Sequence, residues 1–394
     1  MKMTSLQVRL IKTPYPHPGG ETFYTIRIDT DEGIYGLGES MPHYAFYSIE
    51  KSYANLSEAV FERWFLGQDP FSRDRLMRQA YIGLCAQHPD MLGMSVLSAI
   101  EMAMWDICGK ALNRPVYDLL GGKHRDKLRA YSYINYDVDR EGGIENFGQL
   151  WGDPPRLAER AIEMREEGFT ALKYDPLEFR LGLGEKPVKP YHLEKRDYKM
   201  TERTMDALKD ALGDQCDIII GTHGQMTTAS AISYARMLEP YAPLWLEEPT
   251  PPENMSEIAR VRHSTSVPIA CGERIMTVFE AERAMETGAV SILQPDLGTC
   301  GGISEAYKMA AVCEAHYVDV SPHLWGGPVL LSAAVQLSLS ISNFLIQECI
   351  VKADGFYSRI TTEFLKWEKG YLCPNGKPGL GIELDENYIK EVLR

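Results

Sequence analysis

Hydrophobic residues near the start of the chain alternate with polar ones before they shift to helical spacing. Tyr24, Ile26 and Ile28 interleave with Thr25, Arg27 and Asp29, the period of a strand with one buried face. Asp31-Glu32-Gly33 then reads as a turn into Ile34-Tyr35-Gly36-Leu37-Gly38, an antiparallel partner. Around SAIEMAMWDICGKAL, residues Leu97, Ile100, Met104, Ile107 and Ala111 share one helical face. Antiparallel strands followed by helices predict an α+β unit over residues 1–127.

From residue 128 the rhythm changes. Eight short β-rich runs follow one another: AYSYIN, FTALKY, DIIIG, LWLEEP, PIACGE, SILQPD, YVDVSP and FLIQEC. Helical stretches such as TERTMDALKDAL, FEAERAMETG and ISEAYKMAAVCEAH lie between them. This alternation predicts an α/β domain over 128–354, a parallel barrel rather than an open sheet. An open doubly wound sheet is the alternative, but no GxGxxG follows the first strand.

The strand ends carry the chemistry. Lys173, His223, Glu247, Glu273, Asp296, His323 and Glu348 each close one of these runs, and from Glu247 onward they are 26, 23, 27 and 25 residues apart. That spacing is one β/α repeat, so successive strand tips bring ionisable groups to one barrel mouth, where this architecture houses its active sites. A single charged residue after a strand reads as a solvated loop; five in succession read as a site.

The net charge of -14 argues against a nucleic-acid or anionic-membrane surface. An acidic protein that takes an acidic small molecule needs local positive charge, which a divalent metal would supply. No apolar run looks long enough to span a bilayer and the N-terminus lacks a signal-peptide core, so a cytoplasmic protein is expected. The eight cysteines show no two-residue pairing of a zinc or redox motif and read as buried free thiols.

LEPYAPLWLEEP, PIACGERI, SILQPDLGTCGGISEAYKMA, SPH and QE, in this order, resemble the enolase superfamily in its mandelate racemase-like branch, nearest its acid-sugar (galactonate-type) dehydratases. The likeness covers the whole chain and implies a modified (β/α)7β TIM-like barrel. An α+β capping domain is completed by a C-terminal return, residues 355–394 with GKPGLGIELDE. It implies Glu247 and Glu273 as Mg²⁺ ligands, His323 with Asp296 as the general base and its orienting carboxylate, and Glu348 as hydrogen-bond donor to the substrate carboxylate. It also implies His223 as general acid, and Lys173 as the first of a strand-two lysine pair, either a base or an electrostatic anchor. Glu248 reads as support for the site, and His43 lies where the cap could reach substrate.

Two positions depart from the family pattern. Gly221 stands where strand three should end in a metal-binding aspartate, and Asp175 replaces the second strand-two lysine. Asp175 either supplies the missing carboxylate or caps the turn before Pro176. The resemblance implies a Mg²⁺-dependent sugar-acid dehydratase giving a 2-keto-3-deoxy acid. A racemase or epimerase using the same enolate chemistry is the alternative, and a metal-deficient binding protein a third reading. Cap segments 15–22 and 41–47 and the insertion DPLEFRLGLGEKPVKPYHLEKRD are expected to set specificity, the insertion acting as a lid or an oligomer contact. A homo-oligomer is expected.

Overall fold

The computed structural model describes residues 1–17, 20–40, 49–135, 147–350 and 352–392. The chain opens with a three-stranded antiparallel sheet, Met3–His17, Gly20–Thr30 and Tyr35–Ser40, paired in sequence order. Tyr24, Ile26 and Ile28 are buried as their alternation predicts. Thr25 is buried as well, its hydroxyl donating to the Arg9 carbonyl at 3.1 Å. Gly36 and Gly38 let the sheet close on helix Met91–Ala111: a Cβ at either would collide with the carbonyl oxygens of Ala103 or Ala99.

Leu97, Ile100, Met104 and Ile107 of the predicted face are buried, and so is the rest of the helix from Gly93 to Gly109, 17 consecutive residues. It packs on the sheet and on barrel helix Ile303–Ala315. The helix is also long and apolar enough to cross a membrane, contrary to the expectation from sequence, yet 89% of its apolar window is buried inside the protein.

Eight barrel strands follow: Leu128–Tyr133, Ala171–Tyr174, Asp217–Gly221, Trp245–Glu247, Ile269–Cys271, Ile292–Leu293, Asp319–Val320 and Gln347–Glu348. Strands one to seven pair in parallel with their neighbours, and strand eight pairs in parallel with strand one. A Val320–Phe344 bridge joins the seventh and eighth segments and closes the cylinder. One long helix separates each pair of strands, from Pro154–Glu166 to Pro328–Ser340. This is the α/β (β/α)7β barrel. Tyr131, Ala171, Ile219, Trp245, Ala270, Ile292 and Ile346 fill its interior.

Buried cap carboxylates hold cap to barrel. Glu39 accepts the amides of Gly327, Val329 (3.0 Å) and Leu330 at the start of helix Pro328–Ser340. Glu101 accepts Ile303 N–H at 2.7 Å and Ser304 N–H at 3.1 Å at the start of Ile303–Ala315. Both contacts place a carboxyl group at a helix N-terminus, where four amides lack partners. Asp106 accepts Leu37 N–H at 3.0 Å and Leu380 N–H at 2.8 Å, tying the C-terminal segment to the cap. Another part of that segment extends the barrel sheet: Tyr371–Cys373 runs antiparallel to strand one. All eight cysteines are free, and all but Cys373 are buried.

Candidate active site

The strand tips converge as the repeat predicts. Lys173 lies in strand two, His223 two residues past strand three, Glu247 at the end of strand four, Glu273 two past strand five, and Glu348 at the end of strand eight. Asp296 and His323 follow strands six and seven and are joined by a backbone bridge. After strands three and four the chain turns through left-handed backbone, φ 44° at His223 and 42° at Glu248. Such non-glycine conformations persist only where surroundings enforce them. Here the Thr222 hydroxyl donates to the carbonyls of Glu247 (2.7 Å) and Glu248 (2.9 Å), and Gly224 N–H donates to Glu248 at 2.7 Å.

His323 Nδ1 lies 2.7 Å from Asp296 Oδ2, while Asp296 Oδ1 accepts Gly298 N–H at 2.7 Å. This leaves Nε2 facing two other acids, 3.4 Å from Glu273 and 3.9 Å from Glu348. Burial pushes the imidazole pKa down, but Glu273, Glu348 and Asp296 outweigh it and raise it to about 10.

Lys173 is fully buried, its Nζ 2.5 Å from Glu247 Oε1, 3.3 Å from Glu348 Oε1 and 4.7 Å from the Tyr133 ring centre. Burial opposes its charge, but the two carboxylates hold it as an ammonium. The other Glu247 oxygen accepts Gln294 Nε2 at 2.8 Å and Trp245 Nε1 at 3.0 Å. Burial would raise Glu247, but Lys173 dominates and keeps it low. Glu348 Oε2 accepts Leu324 N–H at 2.9 Å. Arg274 bridges Glu248 (3.1 Å) and Glu273 (3.3 Å), yet burial and the Glu273 charge raise Glu248 to about 8.

On strands two and three, His223 Nδ1 lies 2.6 Å from Asp175 Oδ2. Burial lowers the imidazole, Asp175 raises it further, and the net pKa is about 9. Glu178 joins this pair: one ligand atom from each of the three residues lies within 4.8 Å of the others. Gly221 sits beside them, where an added Cβ would lie 3.6 Å from Asp175 Cγ.

A divalent cation suits this mouth. Asp175, Glu247, Glu248, Glu273, Asp296 and Glu348 are all buried, and among the described residues they face two permanent cations, Lys173 and Arg274, and two imidazoles. The surplus is negative, the donors are hard carboxylate oxygens, and Asp175 Oδ1 has no hydrogen-bond donor among the described residues. The basic residues of the insertion are largely engaged internally: Arg180 pairs with Asp197 at 2.6 Å, and Arg196 with Glu185 at 2.7 Å. His43, the segment 41–47 and residues 18–19 of the segment 15–22 lie outside the described residues.

Sequence reasoning missed Arg274, Gln294, Glu178, Tyr131 and Tyr133. Arg274 had a signal, adjacency to Glu273 in CGERI; Gln294 had one in its place two residues before Asp296. The buried tyrosines had none, since an inward phenol and a core aromatic look alike in sequence.

Fold and site together define a TIM-like barrel whose strand ends gather ionisable side chains at one mouth. The chain belongs to the enolase superfamily, in the mandelate racemase/muconate lactonizing branch. Residues 156–388 match the enolase C-terminal domain-like family, and residues 11–121 match the mandelate racemase/muconate lactonizing enzyme N-terminal domain. It is 33% identical to the D-galactonate dehydratase of Cronobacter sakazakii (strain ATCC BAA-894), covering 99% of this chain and 94% of that protein. A mandelate racemase/muconate lactonizing enzyme from Jannaschia sp. CCS1 superposes with a TM-score of 0.90 at 36% identity, over 99% of this chain and 97% of that one. An enolase from Agrobacterium radiobacter, with bound sodium and L-malate, gives 0.84 at 27% identity, over 99% and 95%. The protein is a lyase of the hydro-lyase type within a superfamily typically dependent on divalent metals.

Proposed function

We propose that the protein dehydrates a sugar acid, an aldonate or aldarate, to the 2-keto-3-deoxy acid, with Mg²⁺ as its metal and the cytoplasm as its place of work. The observation that carries this reading is the buried His323–Asp296 pair, whose Nε2 faces the acidic mouth.

Glu247 and Glu273 would hold the metal, which when bound supplies positive charge for the substrate carboxylate. His323 Nε2 takes the proton from C2, with Nδ1–H held on Asp296. Glu273 is the first of the charges that hold a proton on His323, so a cation beside Glu273 would weaken that hold. Lys173, held as an ammonium, anchors the anionic end of the substrate beside Glu348. His223, kept protonated by Asp175, donates its proton to the 3-hydroxyl as the C3–O bond breaks. Water leaves, and the enol tautomerises to the ketone.

The epimerase alternative requires Lys173 to exchange a proton with C2. Its ion pairs with Glu247 and Glu348 hold that proton in place, so the geometry favours elimination. The relative named D-galactonate dehydratase makes D-galactonate the first compound to try. The test is detection of 2-keto-3-deoxy acid after incubation of purified protein and Mg²⁺ with a panel of aldonates and aldarates. A product from at least one member is expected; none across the panel would overturn the dehydratase reading.

A further inference from the structure

Strand three ends in Gly221, without the side chain to ligate a metal, and its backbone does not call for glycine: the residue lies in a regular strand paired with Glu247. What the position requires is space. A Cβ there would sit 3.2 Å from Lys173 Cε, 3.3 Å from the Tyr133 hydroxyl and 3.6 Å from Asp175 Cγ. The Lys173 side chain and the Tyr133 hydroxyl therefore crowd the volume that a strand-three side chain would take, and the Asp175 carboxylate borders it at van der Waals distance.

Asp175 does not cap its own turn. The turn is closed by backbone, Glu178 N–H to the Asp175 carbonyl at 3.2 Å, and neither carboxylate oxygen accepts a backbone amide. The side chain is fully buried; Oδ2 meets His223 Nδ1, and Oδ1 has no hydrogen-bonding partner among the described residues. A buried carboxylate oxygen without a donor is unfavourable unless a cation or proton meets it.

We infer that Asp175 is the relocated third carboxylate of the metal site, offering Oδ1 to a hard divalent cation held with Glu247 and Glu273 while Oδ2 orients His223. The inference rests on the metal-dependent reading of this site. One carboxylate then serves both the metal and the general acid, and Gly221 is the vacancy that lets strand two reach in.

Calorimetric titration of the whole protein with Mn²⁺, a spectroscopically convenient analogue of Mg²⁺, tests this without reference to turnover. Asp175→Asn keeps shape but loses the anion, and its affinity should fall about tenfold or more. The paired change Asp175→Gly with Gly221→Asp moves the carboxylate back to strand three and should recover most of the loss. Glu178→Gln should lower affinity by less than Asp175→Asn does. Wild-type affinity in Asp175→Asn would overturn the inference. So would a loss in Glu178→Gln equal to that in Asp175→Asn, which would place the ion among Asp175, Glu178 and His223 instead. A wild-type protein that binds no divalent cation would overturn the metal-dependent reading itself, and this inference with it.

Discussion

His223 Nδ1 lies 2.6 Å from Asp175 Oδ2, repeating across the barrel the 2.7 Å contact between His323 and Asp296. The first pair sits on strands two and three, the second on strands six and seven, four strands away in a closed cylinder of eight. Two oriented imidazoles thus face one mouth from opposite sides, a layout suited to removing a proton at one carbon and donating one at the next.

The two histidines should separate in their effects. His223→Asn is expected to lower elimination by about 10²–10⁴-fold, the usual contribution of a positioned acid, while leaving exchange of the C2 proton with solvent. Product formation and deuterium incorporation, followed in the same reaction, check this. Equal loss of both would mean that His223 positions substrate rather than donating a proton.

Lys173→Met should destabilise the fold, because it leaves Glu247 and Glu348 buried without their cation. Breaking a buried pair by removing one partner costs about 3–5 kcal/mol. Urea unfolding of the metal-free protein reads the change; a cost below about 1 kcal/mol would show that the ammonium does not hold the mouth together.

Glu39 gives stability a pH dependence of definite sign. Burial raises its folded-state pKa to about 7, despite the lowering by the Gly327, Val329 and Leu330 amides, against an ordinary value of 4.5. The fold retains a proton there that the unfolded chain releases. This contribution is therefore full below pH 4.5 and is lost as pH rises through about 7. Unfolding curves at pH 5 and pH 8 should differ less for Glu39→Gln than for the parent; an unchanged difference would contradict this origin.

Gly302→Ala should loosen the joint between cap and barrel. Gly302 has φ 85°, and an added Cβ would strike the Glu101 carboxylate that caps helix Ile303–Ala315. Left-handed strain alone costs about 1–3 kcal/mol. A lowered thermal midpoint is the expected result, and an unchanged one would show that this joint yields without cost.

Much of the site was legible because a barrel turns sequence period into spatial convergence: Glu247, Glu273, Asp296, His323 and Glu348 are one repeat apart and end successive strands. What stayed hidden depends on register between strands. That Gly221 pairs with Glu247, and that Lys173 Nζ reaches Glu247 and Glu348, follow from inter-strand alignment that no spacing encodes. The same holds for helix Met91–Ala111, whose residues off the predicted face are buried by a barrel helix some 200 positions later in the chain. The Tyr371–Cys373 strand was missed for a different reason: three residues are too short for an alternation to register.

Proton NMR in D₂O, with Mg²⁺ and a panel of aldonates and aldarates led by D-galactonate, tests the central claim most directly. Wild-type protein should erase the C2 proton signal of at least one compound and produce the C3 signals of a 2-keto-3-deoxy acid, whereas folded His323→Asn should do neither. Retention of every C2 signal by wild-type protein shown to bind Mg²⁺, or undiminished exchange in His323→Asn, would contradict proton abstraction by the His323–Asp296 pair.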